Sequence, residues 1–299
     1  MVSPVLKAPF PYFGGKSRIA PLVWDRFGDV PNYVEPFLGS GAVLLGRPHD
    51  AKLETVNDKD GYVANFWRAV QGDPEGVAAA ADWPVNEADI VARRKWCFEQ
   101  ADGLLDRLKA DKDFYDAEIA GVWCWGMSCC IGNAWSERAA SHETGSVNLA
   151  SSRGVTGRRA IGEWIDRLSV RLRRVRVRCG DWSGVCSPAV TTNHGVTAML
   201  LDPPYFDDCS DGCYRENDTS AAHSVRAWAI ERGEDPLMRI ALCGYEGEHA
   251  MPDTWDCVEW KAPHGFGPKR NAHRERVWFS PHCLTGAGQG ELFLAGGVD

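Results

Sequence analysis

The sequence has no uninterrupted apolar run approaching the ~18 residues that a membrane-spanning helix needs, so we expect no membrane span. Its first ten residues, MVSPVLKAPF, lack the basic-then-apolar layout of a signal peptide, so we do not expect export. The eleven cysteines are odd in number and offer no cluster at metal-ligand spacing. They are expected to be reduced, mostly buried thiols of a cytoplasmic protein that holds no metal.

The chain also lacks the excess of positive charge typical of a surface that binds nucleic acid all over, because its net charge is −8. Positive charge is concentrated in one strip, residues 153–178, where nine arginines face only Glu163 and Asp166. Such a strip either contacts phosphates locally or forms a solvated helix face, and the segment itself favours neither reading.

Strand-like runs alternate with helical patterns, which predicts an open α/β sheet with its chemistry at the carboxyl ends of the strands. The runs span residues 32–39, 54–60, 175–182, 197–205 and 238–245. Between about 72 and 165 the pattern changes to charged helix and then to a Ser/Gly-rich loop. This change predicts an insertion into the sheet domain.

A glycine-rich turn, FLGSGAV, follows the first strand-like run. It departs from a dinucleotide fingerprint, because Leu44 stands where the third glycine belongs after Gly39 and Gly41. Glu35, just before the turn, would repel a phosphate. The turn therefore predicts a ligand that has no pyrophosphate and carries a positive group.

Two further stretches extend this ligand description. GGKS resembles the end of a P-loop, but Phe10 occupies the position of its first glycine, which leaves Lys16, behind Tyr12, as a grip for a carboxylate. Asp58, at the end of the second run, either accepts the hydroxyls of a ribose or caps a helix. A ribose, a carboxylate and a positive centre together describe S-adenosylmethionine.

Three stretches in fixed order, PFPYFGGK, YVEPFLGSGAV and DPPY, resemble the Dam-type (D12 class, alpha-group) family of DNA adenine-N6 methyltransferases. The resemblance implies a Rossmann-like class I methyltransferase sheet with an inserted, mostly helical target recognition region. We expect a catalytic domain at 1–71 and 171–285, the insertion at 72–170 and a flexible tail at 286–299.

The resemblance also implies roles for individual residues. The expected cofactor contacts are Tyr12, Gly15, Lys16, Glu35, Phe37, Gly39, Gly41, Asp58, Asp181 and Asp202. The expected catalytic set, which holds the target base, is Asp202, Pro203, Pro204 and Tyr205.

The DPPY stretch suits the chemistry of an adenine amine, whose lone pair is delocalised into the ring. Asp202 and the Pro203 carbonyl can accept its two hydrogens, which localises the lone pair towards the methyl group. The base must first leave the duplex, and Tyr205 then offers a stacking face worth ~1–3 kcal/mol. The mechanism needs no metal.

The expected partner is double-stranded DNA, in a bacterial or phage-infected cell. DNA contacts are predicted at Arg153, Arg158, Arg159, Arg173 and Arg174, whereas Trp123, Trp125 and Trp135 are predicted to be core. Near the C-terminus, Gln289–Phe293 resembles the peptide by which bacterial proteins dock on the sliding clamp, and it reads equally as a final edge strand.

Two alternatives stay open at this point. One is methylation of a cytosine N4 amine or of RNA; the acid of DPPY and the motif order favour adenine in DNA. The other is a DNA-binding relative that has lost catalysis, against which the intact Lys16, Glu35 and Asp58 count.

Overall fold

The computed structural model describes residues 6–12, 15–130, 135, 161–205, 219–260 and 273–285. Seven strands form one sheet within these residues, in the order β3-β2-β1-β4-β5-β7-β6. The strands are β1 (Asn32–Glu35), β2 (Leu53–Asp58), β3 (Val175–Cys179), β4 (Thr197–Leu201), β5 (Met238–Tyr245), β6 (Asp256–Glu259) and β7 (Glu275–Phe279).

The first five strands run in the same direction, and β7 runs against both of its neighbours. β1 pairs in parallel with β2 and β4, β3 pairs in parallel with β2, and β5 pairs in parallel with β4. β7 is antiparallel to β5 and to β6. The amino end of β7 therefore lies at the same edge of the sheet as the carboxyl ends of the parallel strands.

Helices flank this sheet, and several begin at an acidic or amide side chain that caps their first turn. Asp60, Asp73, Asn86 and Asp116 each accept a backbone N–H at such an end. The helices are α1 (Ala20–Phe27), α2 (Ala42–Leu45), α3 (Gly61–Gly72), α4 (Pro74–Ala81), α5 (Glu87–Gln100), α6 (Leu104–Ala110), α7 (Ala117–Cys129), α8 (Ile161–Leu172) and α9 (Thr219–Gly233).

Apolar side chains cover both faces of the sheet, as the alternation along β4 shows. All five residues of β4 are buried; Ala198 and Leu200 belong to one apolar cluster, whereas Met199 and Leu201 belong to another on the opposite face. A parallel strand covered on both faces reads as a continuous apolar run. This burial explains why MLL precedes the acid of DPPY without a polar interruption.

Several of the helices that follow α3 pack on α3 or on one another. α7 and α8 both contact α3, and α4 contacts α7 and α8. Trp123, Trp125 and Trp135 are buried there, which confirms their prediction as core. The domain boundaries at 71/72 and 170/171 stay a prediction, and the tail 286–299 lies outside the described residues.

The sheet confirms the Rossmann-like α/β fold. The first, third, fourth and fifth predicted strands begin where expected, but the first ends at Glu35 rather than at residue 39, because Pro36 and the glycine turn follow. β6 and β7 were not anticipated as strands. Within the described chain, no helix is long and apolar enough to cross a membrane, and the nine described cysteines are all free thiols.

Candidate active site

A cavity opens at the edge of the sheet where β1, β2 and β4 end, and we call it the carboxyl-edge cavity. Nine of the ten residues predicted to contact a cofactor line it, all except Gly41. Its walls include Tyr12, Gly15, Lys16, Glu35, Phe37, Gly39, Asn57, Asp58, Asp60, Asp181, Trp182, Asp202 and Pro204. Sequence stretches far apart in the chain thus meet around one space.

The turn after β1 depends on glycine at two positions. Gly39 has φ 49°, and a Cβ there would lie 2.7 Å from the Tyr12 ring. Gly41 has φ 60° and caps α2, and its N–H donates to the Leu38 carbonyl at 2.8 Å. Gly41 therefore shapes the turn from behind the cavity wall, where a left-handed backbone is needed.

Asp58 ends β2 and holds this turn in place. Its Oδ2 accepts the Gly39 N–H at 2.8 Å, and its Oδ1 accepts the Asp60 N–H at 2.9 Å. The helix-capping alternative falls to Asp60, whose side chain accepts the Tyr62 N–H at 2.8 Å and caps α3. Burial, with the nearby Asp60 charge, raises the pKa of Asp58 to about 7.

Glu35 ends β1 as a buried carboxyl with 3% of its surface exposed. The Tyr33 hydroxyl donates to its Oε2 at 2.9 Å. Burial raises the pKa of Glu35 to about 8, the Tyr33 hydrogen bond opposes the rise, and the negative charge of Asp202 adds to it. A cation in the cavity would favour the ionised form of this carboxyl.

Lys16 is buried and forms an ion pair with Asp202, with 2.8 Å between Nζ and Oδ2. Its ammonium also lies 5.3 Å from the centre of the Tyr205 ring. The carboxylate gripped by Lys16 in the structure is thus the chain's own acid of DPPY. Contact between Lys16 and a cofactor carboxylate stays a prediction.

Tyr205 links the end of β4 to the start of β7 through side-chain hydrogen bonds. Its hydroxyl lies 3.1 Å from Asp202 Oδ1 and 3.1 Å from Glu275 Oε2. Its half-buried ring packs edge-on against Tyr245 of β5, with 4.6 Å between ring centres. The sequence pattern did not point to Glu275, because its position depends on the reversed direction of β7.

An aromatic wall completes the cavity on the β3 side. The rings of Phe37 and Trp182 stack with an interplanar angle of 24° and 6.5 Å between their centres. Asp181 is exposed and caps the short 3-10 helix Trp182–Val185 by accepting the Ser183 N–H at 3.0 Å. Asp181 therefore both caps this short helix and lines the cavity. Trp182 was not anticipated.

Two of the predicted DNA contacts are described by the structure, and they do not line the cavity. Arg173 and Arg174 are exposed just before β3, at the amino edge of the sheet and away from the carboxyl-edge cavity. Arg171, from the same strip, pairs with Glu54 at 2.7 Å and is therefore engaged inside the fold. Arg153, Arg158, Arg159 and Gln289–Phe293 lie outside the described residues.

The strand order and the mostly parallel sheet are those of a Rossmann-like methyltransferase fold. Residues 12–95 match the model of the D12 class N6 adenine-specific DNA methyltransferase family. This match confirms the resemblance found in the sequence and indicates an adenine-specific, S-adenosylmethionine-dependent DNA methyltransferase. A comparison with curated proteins found no match. In the part of the chain that the structure describes, no group of three or more His, Cys, Asp or Glu residues could hold a metal ion.

Proposed function

We propose that the protein transfers the methyl group of S-adenosylmethionine to the N6 amine of a flipped-out adenine at a specific DNA sequence. The observation that carries the proposal is the meeting of Asp202, which follows β4 and accepts a hydrogen bond from Tyr205, with Glu35 and Asp58 around one cavity. A base-binding group and a nucleoside-binding group must share one space for methyl transfer to occur.

The residues of the carboxyl-edge cavity fit S-adenosylmethionine. The cofactor supplies an electrophilic methyl group on a positively charged sulfur. Glu35 offers a buried carboxyl that a cation would ionise, and Asp58 offers oxygens to hydroxyl donors. Gly39 leaves space beside Tyr12 that a side chain would fill. Phe37 and Trp182 provide flat apolar surface for a purine.

At the end of β4, the chain would bind and orient the target amine. Asp202 Oδ1 and Oδ2 each accept one hydrogen bond in the structure, from Tyr205 and Lys16, and each oxygen keeps a further lone pair. Asp202 and the Pro203 carbonyl would accept the amine hydrogens. Lys16 would fix the carboxylate that does so, and the Tyr205 ring would pack on the base.

The direct test is incubation of the purified protein with isotope-labelled S-adenosylmethionine and mixed-sequence duplex DNA, followed by mass spectrometry of the nucleosides. We expect N6-methyladenine. Asp202→Asn should abolish transfer, whereas the matched control Asp113→Asn, an exposed acid paired with Lys112, should retain it. N4-methylcytosine or no product would each overturn the proposal, as would label transferred only to RNA in a parallel reaction.

The DNA-facing surface is a further part of the proposal. The region 72–170 would read the target sequence, with Arg153, Arg158 and Arg159 at phosphates or bases, and Arg173 and Arg174 would add phosphate contacts. Gln289–Phe293 would dock on a sliding clamp. Clamp binding that a Gln289→Ala, Phe293→Ala double variant leaves unchanged would refute the docking role.

A further inference from the structure

Glu275 reaches the proposed catalytic edge because β7 runs against its neighbours. It is the first residue of β7 and lies opposite Tyr245, the last residue of β5. Only 5% of its surface is exposed. A buried acid is costly unless it has partners, so its place beside Tyr205 calls for a reason beyond packing.

Two carboxylates and one hydroxyl lie in a row at this edge of the sheet. Asp202 Oδ1 and Glu275 Oε2 flank the Tyr205 hydroxyl at 3.1 Å each. A phenol carries a single proton, so it can donate to one carboxylate while its oxygen accepts a proton from the other. Such a row can pass a proton from one end to the other without moving a heavy atom.

We propose that Tyr205 and Glu275 form a proton relay with Asp202, which accepts the proton that the target amine loses on methylation. The inference rests on the proposed function. Glu275 acts through Tyr205 and is therefore a positioning residue that does not touch the base.

The amine nitrogen forms a bond to the methyl carbon, the bond from that carbon to sulfur breaks, and the sulfur keeps the electron pair. The nitrogen then loses one proton to Asp202. Asp202 gives a proton to the Tyr205 oxygen while Tyr205 gives its own proton to Glu275, so Asp202 is ionised again, Tyr205 stays neutral and Glu275 ends protonated. After product release the proton returns through Asp202, whose side chain is 21% exposed, to solvent.

The surroundings of Glu275 favour its role as the final proton acceptor. Burial raises the pKa of Glu275, the negative charge of Asp202 adds to this rise, and Lys16 and the Tyr205 hydrogen bond oppose it. The buried thiol of Cys243, which lies opposite Val277 in the pairing of β5 with β7, is a further titratable group nearby, and the charge of Glu275 contributes to its raised pKa. A carboxylate with a raised pKa accepts a proton more readily than an ordinary glutamate does.

The first experiment tests whether Glu275 is coupled to Tyr205 and Asp202, and it does not require methyl transfer. The pH titration of the Glu275 carboxyl is followed by NMR of protein labelled with ¹³C at glutamate side-chain carboxyls, and Glu275→Gln identifies its signal. We expect its midpoint to rise in Tyr205→Phe, which loses a donor, and to fall in Asp202→Asn, which loses a negative charge. A midpoint that moves in neither variant would overturn the relay, whether or not the protein is active.

The second experiment measures single-turnover methyl transfer as a function of pH. Glu275→Gln and Tyr205→Phe should each slow transfer about tenfold or more and shift its pH profile, with cofactor affinity unchanged. The double variant should be no slower than the slower single variant, because the two residues act as one unit. Transfer at the wild-type rate in both single variants refutes the relay, whereas absence of N6-methyladenine from the wild-type reaction refutes the proposed function instead.

Discussion

The backbone N–H of Gly39 donates to Asp58 Oδ2 at 2.8 Å, which ties the turn after β1 to the end of β2. Asp58 therefore has two tasks: it holds the turn and presents its remaining lone pairs to the carboxyl-edge cavity. We therefore expect the loss of the Asp58 side chain to reduce ligand affinity more than it reduces the stability of the sheet.

Asp58→Ala should weaken S-adenosylmethionine binding about ten- to a hundredfold, because hydrogen bonds to a charged group are worth about 1.5–3 kcal/mol. Isothermal titration calorimetry measures the change. Asp73→Ala is the matched control: it removes an acid that accepts the Gly76 N–H at 2.8 Å and caps α4, away from the cavity. Equal affinity in Asp58→Ala and wild type would contradict the ribose assignment.

Gly39→Ala should reduce cofactor affinity more than backbone strain alone explains. The added Cβ would lie 2.7 Å from the Tyr12 ring and displace it into the cavity. Gly103→Ala separates the two effects, because Gly103 also has a positive φ, 71°, and has no atom within 4 Å of a Cβ placed there. If calorimetry finds the same affinity loss in both variants, strain alone accounts for it.

S-adenosylmethionine should bind more tightly as pH rises from 6 to 9. A sulfonium near Glu35 favours the ionised carboxyl, whose pKa is about 8 without ligand, so binding releases a proton below that pH. The affinity should rise by up to about tenfold per pH unit and then level off. S-adenosylhomocysteine, which lacks the charge, should show a weaker dependence, and Glu35→Gln should flatten the curve for S-adenosylmethionine. A flat curve for the wild type would argue against Glu35 as the partner of the sulfonium.

The free energy of unfolding should fall as pH rises from about 4.5 to about 8, because the folded state holds the Glu35 proton more tightly than the unfolded chain does. Urea denaturation at several pH values measures the slope. Glu35→Gln should lose roughly a few kcal/mol of this dependence. A slope that Glu35→Gln leaves unchanged would show that the pKa of Glu35 is not raised in the folded state.

Arg173→Ala and Arg174→Ala together should lower DNA affinity and reduce its salt dependence by about two phosphate contacts if these exposed side chains meet DNA. Fluorescence anisotropy over a range of salt concentrations measures both quantities. Arg173 and Arg174 lie at the amino ends of the parallel strands, whereas the cavity lies at their carboxyl ends. A DNA duplex that contacts both would have to extend from one end of the sheet to the other. An unchanged salt slope would assign the pair to a solvated surface.

The cavity could be predicted largely from the sequence because its residues follow strands. Glu35, Asp58 and Asp202 stand at the ends of apolar runs, and parallel strands bring their carboxyl ends together. The partner of Lys16 could not be predicted, because an isolated lysine pairs equally well with a ligand or with an acid of the chain. Its contact with Asp202 depends on packing between distant segments.

Glu275 shows what the pattern of strand ends cannot reveal. It begins a strand, and in a parallel sheet the start of a strand lies far from the chemistry. Only the reversed direction of β7 brings it to Tyr205. The direction of a strand depends on the connection that precedes it, for which short-range periodicity carries no signal.

The antiparallel direction of β7 also affects when the active-site contacts can form during synthesis and folding. Lys16 comes from the first part of the chain, Asp202 from the middle, and Glu275 from close to the end of the sheet domain. Contacts this distant in sequence form late, since long loops must close first. A nascent chain that has not yet reached β7 can contain the motifs FGGK, EPFLGSG and DPPY and still lack the carboxylate that contacts Tyr205, so the site can form only after β7 has been synthesised.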